Sequence, residues 1–120
     1  MKVLLIDDEE EFIVTLSERL KLRNIDSTVA LNGESALQLL NNDYHPDVIL
    51  LDLKMPGMDG MEVLRQIRKK FTALQVIMLT GHGSEKDKKE AQRLGVHDYL
   101  SKPVQIEKLM KTLNEANNKK

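Results

Sequence analysis

Short apolar runs alternate with segments of helical pattern along the whole chain. The clearest run covers residues 48–51, which contain no polar side chain and stop at Asp52. Between the runs, apolar residues recur every three or four positions, as in amphipathic helices. Runs without polar alternation predict strands that are buried on both faces. The pattern therefore predicts a mostly parallel sheet covered by helices, an α/β fold.

The pattern contains five strands and five helices in alternation. The predicted strands are residues 3–6, 25–31, 48–51, 76–79 and 99–100, and the predicted helices are residues 10–23, 34–41, 84–94 and 105–116, with one more inside 57–70. This (βα)₅ order predicts a doubly wound, five-stranded parallel sheet and one domain over residues 1–120. The fourth helix has only Ala91 and Leu94 as apolar residues, which is typical of a solvated surface helix or of a mobile element.

Composition narrows the function classes. The absence of cysteine excludes disulfides, thiol chemistry and cysteine metal sites. The formal net charge is −1, and neither end carries the charge of a nucleic-acid-binding arm. No window approaches the roughly 18 apolar residues that span a membrane. A cytoplasmic location is expected, with no membrane association and no direct binding of nucleic acid.

Polar side chains stand where the predicted strands end. Asp7 and Asp8 follow the first strand, Asp52 follows the third, Thr80 ends the fourth and Lys102 follows the fifth. Ligands of open parallel sheets bind at the carboxyl ends of the strands. If these strands are neighbours, the side chains converge in one crevice. Alone, Asp7 and Asp8 could instead cap the helix that follows them.

Three converging carboxylates require a compensating cation. Oxygen ligands favour Mg²⁺ or Mn²⁺ over zinc. A carboxylate can also act as the nucleophile in phosphoryl transfer and form an acyl phosphate. The cation, a lysine ammonium and a hydroxyl would then stabilise the oxygens of the transferred group. The residue types at the strand ends are those that this reaction needs.

Four segments occur in order at the strand ends, namely LLIDDEEEF, DVILLDLKMPGMDGMEVL, VIMLTG and GVHDYLSKP. Together they make the chain similar to the response-regulator receiver family of two-component signalling, from residue 1 to about residue 116. The resemblance implies a flavodoxin-like sheet with strand order 2-1-3-4-5. It also implies a phosphoacceptor that switches conformation during signal transduction or a phosphorelay.

The resemblance gives each strand-end residue an expected role. Asp52 would be the phosphoacceptor. Asp8 would ligate the metal directly, Asp7 would assist, and the backbone carbonyl of Lys54 would be a further ligand. Thr80 and Lys102 would bind the phosphoryl group. Tyr99 would change its position together with Thr80. Pro103 would follow a cis peptide bond.

Two positions near the site, Gly81 and Lys54, affect how closely the chain follows the family pattern. Gly81 stands where many relatives have alanine, and it lacks a side chain over the site. Lys54 places a flexible cation two residues after Asp52. The resemblance implies that Lys54 and His82 flank the route of the hydrolytic water. We expect these two residues to tune the lifetime of the phosphate.

The resemblance also implies partners. The phosphodonor would be a sensor histidine kinase or a histidine phosphotransfer protein, and a downstream output domain or protein would receive the signal. A phosphorylation-dependent dimer is compatible with the family. The chain would be a stand-alone receiver or part of a longer regulator or hybrid kinase. Apart from self-phosphorylation and slow autodephosphorylation, no enzymatic activity is expected.

Three other functions are open to the same fold. A flavin or nucleotide-phosphate binder needs a glycine-rich or hydroxyl-rich loop after the first strand, where this chain has DDEEE. An aspartyl-phosphate hydrolase of the haloacid dehalogenase type usually has a second acid where Lys54 stands. A pseudo-receiver would act only as a binding module, which the intact set of strand-end residues disfavours.

Overall fold

The computed structural model describes residues 1–81 and 83–119 and has strands and helices in strict alternation. The elements are β1 Lys2–Ile6, α1 Glu10–Lys21, β2 Asp26–Ala30, α2 Gly33–Asn41, β3 Val48–Leu51, α3 Gly60–Lys70, β4 Gln75–Thr80, α4 Glu85–Arg93, β5 Asp98–Ser101 and α5 Ile106–Asn117. The predicted alternation is confirmed. Most boundaries move by one or two residues, as helix and strand ends commonly do.

The five strands form one parallel sheet in the order β2-β1-β3-β4-β5. This order confirms the flavodoxin-like fold that the resemblance implied. It places β1, β3 and β4 side by side at the centre, with Ile6 opposite Leu51 and Leu51 opposite Met78. The strand that precedes Asp52 therefore pairs on one side with the strand that precedes Asp7 and on the other with the strand that precedes Gly81.

Each central strand contributes to two hydrophobic cores, one on each face of the sheet. In β1, Leu4 and Ile6 join the core beneath α2, α3 and α4, whereas Val3 and Leu5 join the core beneath α1 and α5. All four side chains are at most 1% exposed. Burial on both faces explains why the strands show no polar alternation, because neither side of the sheet meets water.

Three helices begin at side-chain caps. The residues that directly precede α2, α3 and α4 are Asn32, Asp59 and Ser84. Their side chains accept hydrogen bonds from backbone N–H groups in the first turn of each helix, namely those of Ser35, Glu62 and Asp87. The cap at Asp59 explains why α3 begins at Gly60 and not nearer Gly57. Asp87 completes a capping box by accepting from the N–H of Ser84, as its spacing predicted.

Helix α4 is the least anchored helix of the described chain. Ala91 is its only buried residue, which agrees with the composition of the segment. In addition, none of the helices formed by residues 1–81 and 83–119 combines the length and the apolar character needed to cross a bilayer.

Candidate functional site

The candidate site lies at the carboxyl ends of the central strands, where the backbone is held beyond the strands themselves. The N–H of Asp52 donates to the carbonyl of Ile6 at 2.9 Å, and the N–H of Lys102 donates to the carbonyl of Thr80 at 2.9 Å. The sheet ladder thus continues one residue past β3 and β5. This continuation orders the backbone on which the polar side chains stand.

Three carboxylates form the centre of the site. Asp7, Asp8 and Asp52 each offer an oxygen that lies within 4.8 Å of the other two. Asp7 and Asp52 are only 2% and 3% exposed, while Asp8 is more exposed. A cluster of oxygen ligands at this spacing could hold a hard divalent cation.

Neither Asp7 nor Asp8 acts as the cap of α1. The N-cap of that helix is Glu9, whose side chain makes no capping hydrogen bond. Asp7 uses one carboxylate oxygen, Oδ1, to accept from the N–H of Glu9 at 3.0 Å. Its other oxygen, Oδ2, contacts Lys102, so the capping interpretation of this acid pair is wrong.

The ammonium of Lys102 occupies the centre of this charge cluster. Its Nζ lies 2.7 Å from Asp7 Oδ2, 2.7 Å from Glu9 Oε1 and 3.8 Å from Asp52 Oδ1. The ring of Phe12 covers another side, with its centroid 4.5 Å from Nζ. The Lys102 side chain is only 13% exposed. A flexible surface lysine is thus excluded, because four groups restrain the ammonium.

Two of these contacts were not predicted from the sequence. Phe12 is an apolar residue of α1, and its half-buried ring contacts the ammonium. Glu9 belongs to a run of acids from Asp7 to Glu11, and nothing in that run distinguishes it from its neighbours. Its role depends on a contact across 93 residues of sequence, which only the fold creates.

The electrostatic state of Asp52 reflects this crowding. Burial is the largest effect and raises the pKa of the carboxyl above 3.8, and the nearby Asp7 raises it further. Lys102, a hydrogen bond from the Thr80 hydroxyl and the N–H of Leu53 act in the opposite direction but do not cancel the rise. Separately, the carboxylates of Asp7, Asp8 and Asp52 outnumber the one ammonium of Lys102 at the site.

The pKa of Lys102 is raised by the same cluster of carboxylates. Burial by itself lowers the pKa of the ammonium, but the hydrogen bonds to Asp7 and Glu9 and the charge of Asp52 outweigh burial and raise it. The lysine consequently stays protonated at neutral pH. A permanently charged ammonium is suited to bind an anionic group placed on Asp52.

Gly60 brings the start of α3 against the loop that carries Asp52. Its N–H donates to the carbonyl of Leu53 at 2.7 Å. A Cβ at position 60 would overlap the Asp52 carbonyl and lie 2.7 Å from the Cα of Leu53. Only a residue without a side chain permits this approach, which fixes the backbone on both sides of the carboxylate.

Thr80 and Tyr99 link the site to α4. Thr80 is 2% exposed, and its hydroxyl hydrogen-bonds to Asp52. Tyr99 is half-buried, and its hydroxyl is buried without a hydrogen-bond partner among the described residues. A Cβ at Gly83 would overlap that hydroxyl and lie 2.6 Å from the ring carbon Cζ. Gly83, which sequence analysis did not identify, leaves the space that Tyr99 occupies.

The structure brings together five of the predicted site residues, namely Asp7, Asp8, Asp52, Thr80 and Lys102. The Lys102–Pro103 peptide bond is cis, as the resemblance implied. Lys54 has an exposed side chain, and the use of its carbonyl as a metal ligand stays a prediction. A Cβ at Gly81 would approach no closer than 3.8 Å to Lys102 Cβ. His82 lies outside the described residues.

Comparisons with known proteins agree with this geometry. The family model of the response regulator receiver domain matches residues 3–114. The receiver domain of a Francisella response regulator is 35% identical, with a TM-score of 0.88 and coverage of 98% of this chain and 96% of that chain. A receiver domain protein from Clostridium thermocellum is 33% identical, with a TM-score of 0.91 and coverage of 98% and 94%. A chemotaxis protein from Vibrio cholerae is 31% identical, with a TM-score of 0.88 and coverage of 96% and 97%.

Proposed function

Because the chain belongs to the response regulator receiver family of two-component signalling, we propose that it accepts a phosphoryl group on Asp52. The observation that carries the proposal is the environment of this carboxylate. It is 3% exposed, it ends a central strand, and it lies 3.8 Å from the Lys102 ammonium within a cluster of three carboxylates. The donor would be a phosphohistidine of a histidine kinase or a phosphotransfer protein.

A divalent cation fits the site. Asp7, Asp8 and Asp52 would hold it, with the carbonyl of Lys54 as a further ligand, and the all-oxygen donor set favours Mg²⁺ or Mn²⁺. The charge count supports this fit, because the three carboxylates of the site face the single ammonium of Lys102. When bound, the ion would neutralise phosphoryl oxygens and allow an anionic donor to approach an anionic nucleophile.

The chain's own groups account for the remaining chemistry. An Asp52 oxygen attacks the phosphorus in line, a P–O bond forms, and the P–N bond to the donor imidazole breaks. The electron pair of that bond stays on the imidazole nitrogen, which takes up a proton. Lys102 and the Thr80 hydroxyl stabilise the oxygens of the resulting acyl phosphate. No residue corresponds to the second acid of an aspartyl-phosphate hydrolase, because Lys54 stands there.

Phosphorylation would then shift a conformational equilibrium. Thr80 would leave Asp52 for a phosphoryl oxygen, and Tyr99 would move into the space that Thr80 vacates. Helix α4 and strand β5 would follow. Support comes from the single buried residue of α4 and from the buried Tyr99 hydroxyl, which has no partner among the described residues. An output domain or protein would respond to this face.

The decisive experiment is incubation with Mg²⁺ and acetyl phosphate, followed by intact-mass measurement. Wild-type protein should gain one phosphoryl group, and Asp52→Asn should gain none. Asp59→Asn is the matched control, because asparagine caps a helix about as well as aspartate and the charge change is the same. If the wild type gained no phosphate, the chain would be a binding module without phosphoacceptor activity.

The coupling is tested separately with Thr80→Ala. This variant should still gain phosphate on Asp52, but hydrogen exchange in Glu85–Arg93 and at Tyr99 should change less on phosphorylation than in the wild type. An undiminished change in α4 would show that Thr80 does not transmit the signal.

A further inference from the structure

Glu9 contacts the Lys102 ammonium as closely as Asp7 does, yet it has no part in the reaction proposed above. Asp7 Oδ2 and Glu9 Oε1 each lie 2.7 Å from Lys102 Nζ, whereas Asp52 Oδ1 lies 3.8 Å away. The Phe12 ring covers a further side of the ammonium. In the unphosphorylated protein, Lys102 is therefore directed at Asp7, Glu9 and Phe12 rather than at the phosphoacceptor.

The two carboxylates differ in how easily Lys102 can leave them. The Asp7 side chain is 3% exposed, so breaking that pair would leave a buried charge without its partner. The Glu9 side chain is 57% exposed, so water solvates its carboxylate as soon as the pair breaks. Glu9 is thus the partner that an incoming phosphoryl group displaces more readily.

We propose that Glu9 is a positioning residue that holds Lys102 away from Asp52. During transfer, Lys102 would leave Glu9 and bind the phosphoryl group. This inference rests on the proposed function of Asp52. It assigns Glu9 the task of keeping the ammonium ordered while the site is empty of phosphate. Loss of the pair would leave Lys102 freer to meet the phosphoryl oxygens.

The test compares variants that remove the same charge from neighbouring positions. Glu9→Gln removes the ion pair, and Glu10→Gln removes an exposed carboxylate one residue further on, at the start of α1. With Mg²⁺ and acetyl phosphate, Glu9→Gln should raise the phosphorylation rate by about two- to fivefold, the range that an exposed ion pair supplies. Glu10→Gln should change it little. Glu9→Asp keeps the charge but shortens the side chain, so its rate should lie between Glu9→Gln and wild type.

A second readout needs no phosphodonor. Nuclear magnetic resonance of the Lys102 side chain in magnesium-free protein should show altered Cε and Nζ signals in Glu9→Gln and unchanged signals in Glu10→Gln. A generally structural role of Glu9 would not produce this selectivity. Unfolding midpoints of the three variants identify any effect that comes from loss of stability.

The outcomes separate this proposal from the one on which it rests. If wild type is phosphorylated but Glu9→Gln and Glu10→Gln accelerate equally, general charge repulsion explains the effect and the proposal is wrong. A slower Glu9→Gln, or Lys102 signals that ignore the substitution, would equally overturn it. If wild-type protein takes up no phosphate at all, the proposed function fails first, and the exchange proposed for Glu9 fails with it.

Discussion

The environment of Asp52 lowers the stability of the folded protein when its carboxylate is ionised. Its carboxylate is buried beside Asp7, and these two effects raise its pKa despite the opposing contacts of Lys102 and Thr80. A functional anion in such a place costs folding free energy when ionised. The proposed phosphoacceptor thus lowers the stability of the folded protein when no cation is bound.

This destabilisation predicts that Asp52→Asn is more stable than wild type in metal-free buffer. The pKa of Asp52 is higher in the folded than in the unfolded protein, so between the two values the native state binds more protons. The free energy of unfolding therefore falls as the pH rises through this range. The variant lacks this loss, and at pH 7 its free energy of unfolding should be higher by about 1 kcal/mol. Urea unfolding in chelator measures the difference.

The difference should shrink as the pH falls toward about 4, because the native carboxyl takes up its proton first, and it should be lost below about 4, where Asp52 becomes protonated in both states. Asp59→Asn, at an exposed helix cap, should match the wild type across the same range. A less stable Asp52→Asn at pH 7 would mean that the contacts to the ionised carboxylate outweigh its burial.

Helix α4 is held at its C-terminal end by one side chain of α3. Arg68 donates from Nε to the Leu94 carbonyl at 2.6 Å, from Nη2 to the Gly95 carbonyl at 3.0 Å and from Nη1 to the Leu74 carbonyl at 2.7 Å. Burial lowers the pKa of the guanidinium. Because Ala91 alone is buried within α4, these hydrogen bonds add a second point of attachment at the end of the helix.

Arg68→Lys should loosen the helix end, because an ammonium cannot match the forked geometry that satisfies three carbonyls. We expect a loss of about 1–3 kcal/mol in the free energy of unfolding and faster hydrogen exchange around residues 91–96. Arg65→Lys is the control, since Arg65 makes an exposed ion pair with Glu62 within α3 and should change stability by less than about 0.5 kcal/mol. Equal effects of both substitutions would contradict this attachment.

The segment before α4 constrains Tyr99. Gly83→Ala should displace the Tyr99 ring, because the added Cβ would overlap its hydroxyl. The expected result is a changed Tyr99 ring signal in nuclear magnetic resonance and a stability loss of about 1–3 kcal/mol, typical of overpacking. Gly81→Ala should be tolerated, because its Cβ would be 3.8 Å from the nearest atom.

A double substitution separates this contact from backbone effects. In a Tyr99→Ala background, the Gly83→Ala change should cost little, since the group it would strike is gone. An undiminished cost in that background would place the strain in the backbone of the segment.

At the scale of the whole molecule, the sheet order brings the site together and would link the proposed ion binding to folding. Asp7 and Asp8 leave β1, and Asp52 leaves β3, which pairs directly with β1. Asp52 lies 45 residues after Asp7 and 44 after Asp8, so it meets this adjacent pair only in the folded chain. An ion that they bind therefore recognises the native state alone.

Magnesium should accordingly raise the melting temperature of the protein. At a concentration 100 times the dissociation constant, the linked stabilisation is about 2.7 kcal/mol. Calorimetry in Mg²⁺ and in chelator at equal ionic strength measures it. Asp8→Asn should reduce the shift strongly. Asp43→Asn should not, because that carboxylate is 99% exposed and its positive φ suits asparagine. A shift of equal size in both variants would indicate nonspecific ion binding.

The sequence by itself determined the alternation of strands and helices and the places where chemistry can occur. Residues 48–51 and their counterparts indicate strands because continuous apolar runs require burial on both faces. Capping residues such as Ser84 mark helix starts because they satisfy N–H groups within three residues. Strand-end positions of Asp52 and Thr80 follow from the same local patterns. These features depend on residues that are close in sequence, so they can be predicted without knowing the tertiary structure.

Only the tertiary structure decided which of the polar residues touch. The charge partners of Lys102 lie at least 50 residues away in sequence, and Glu9 is chosen from a run of similar acids by the path of the backbone alone. Gly83 matters because of the Tyr99 ring, 16 residues further on. Such contacts arise from sheet order and side-chain packing, which bring distant segments within a few ångströms and leave no periodic trace in the sequence.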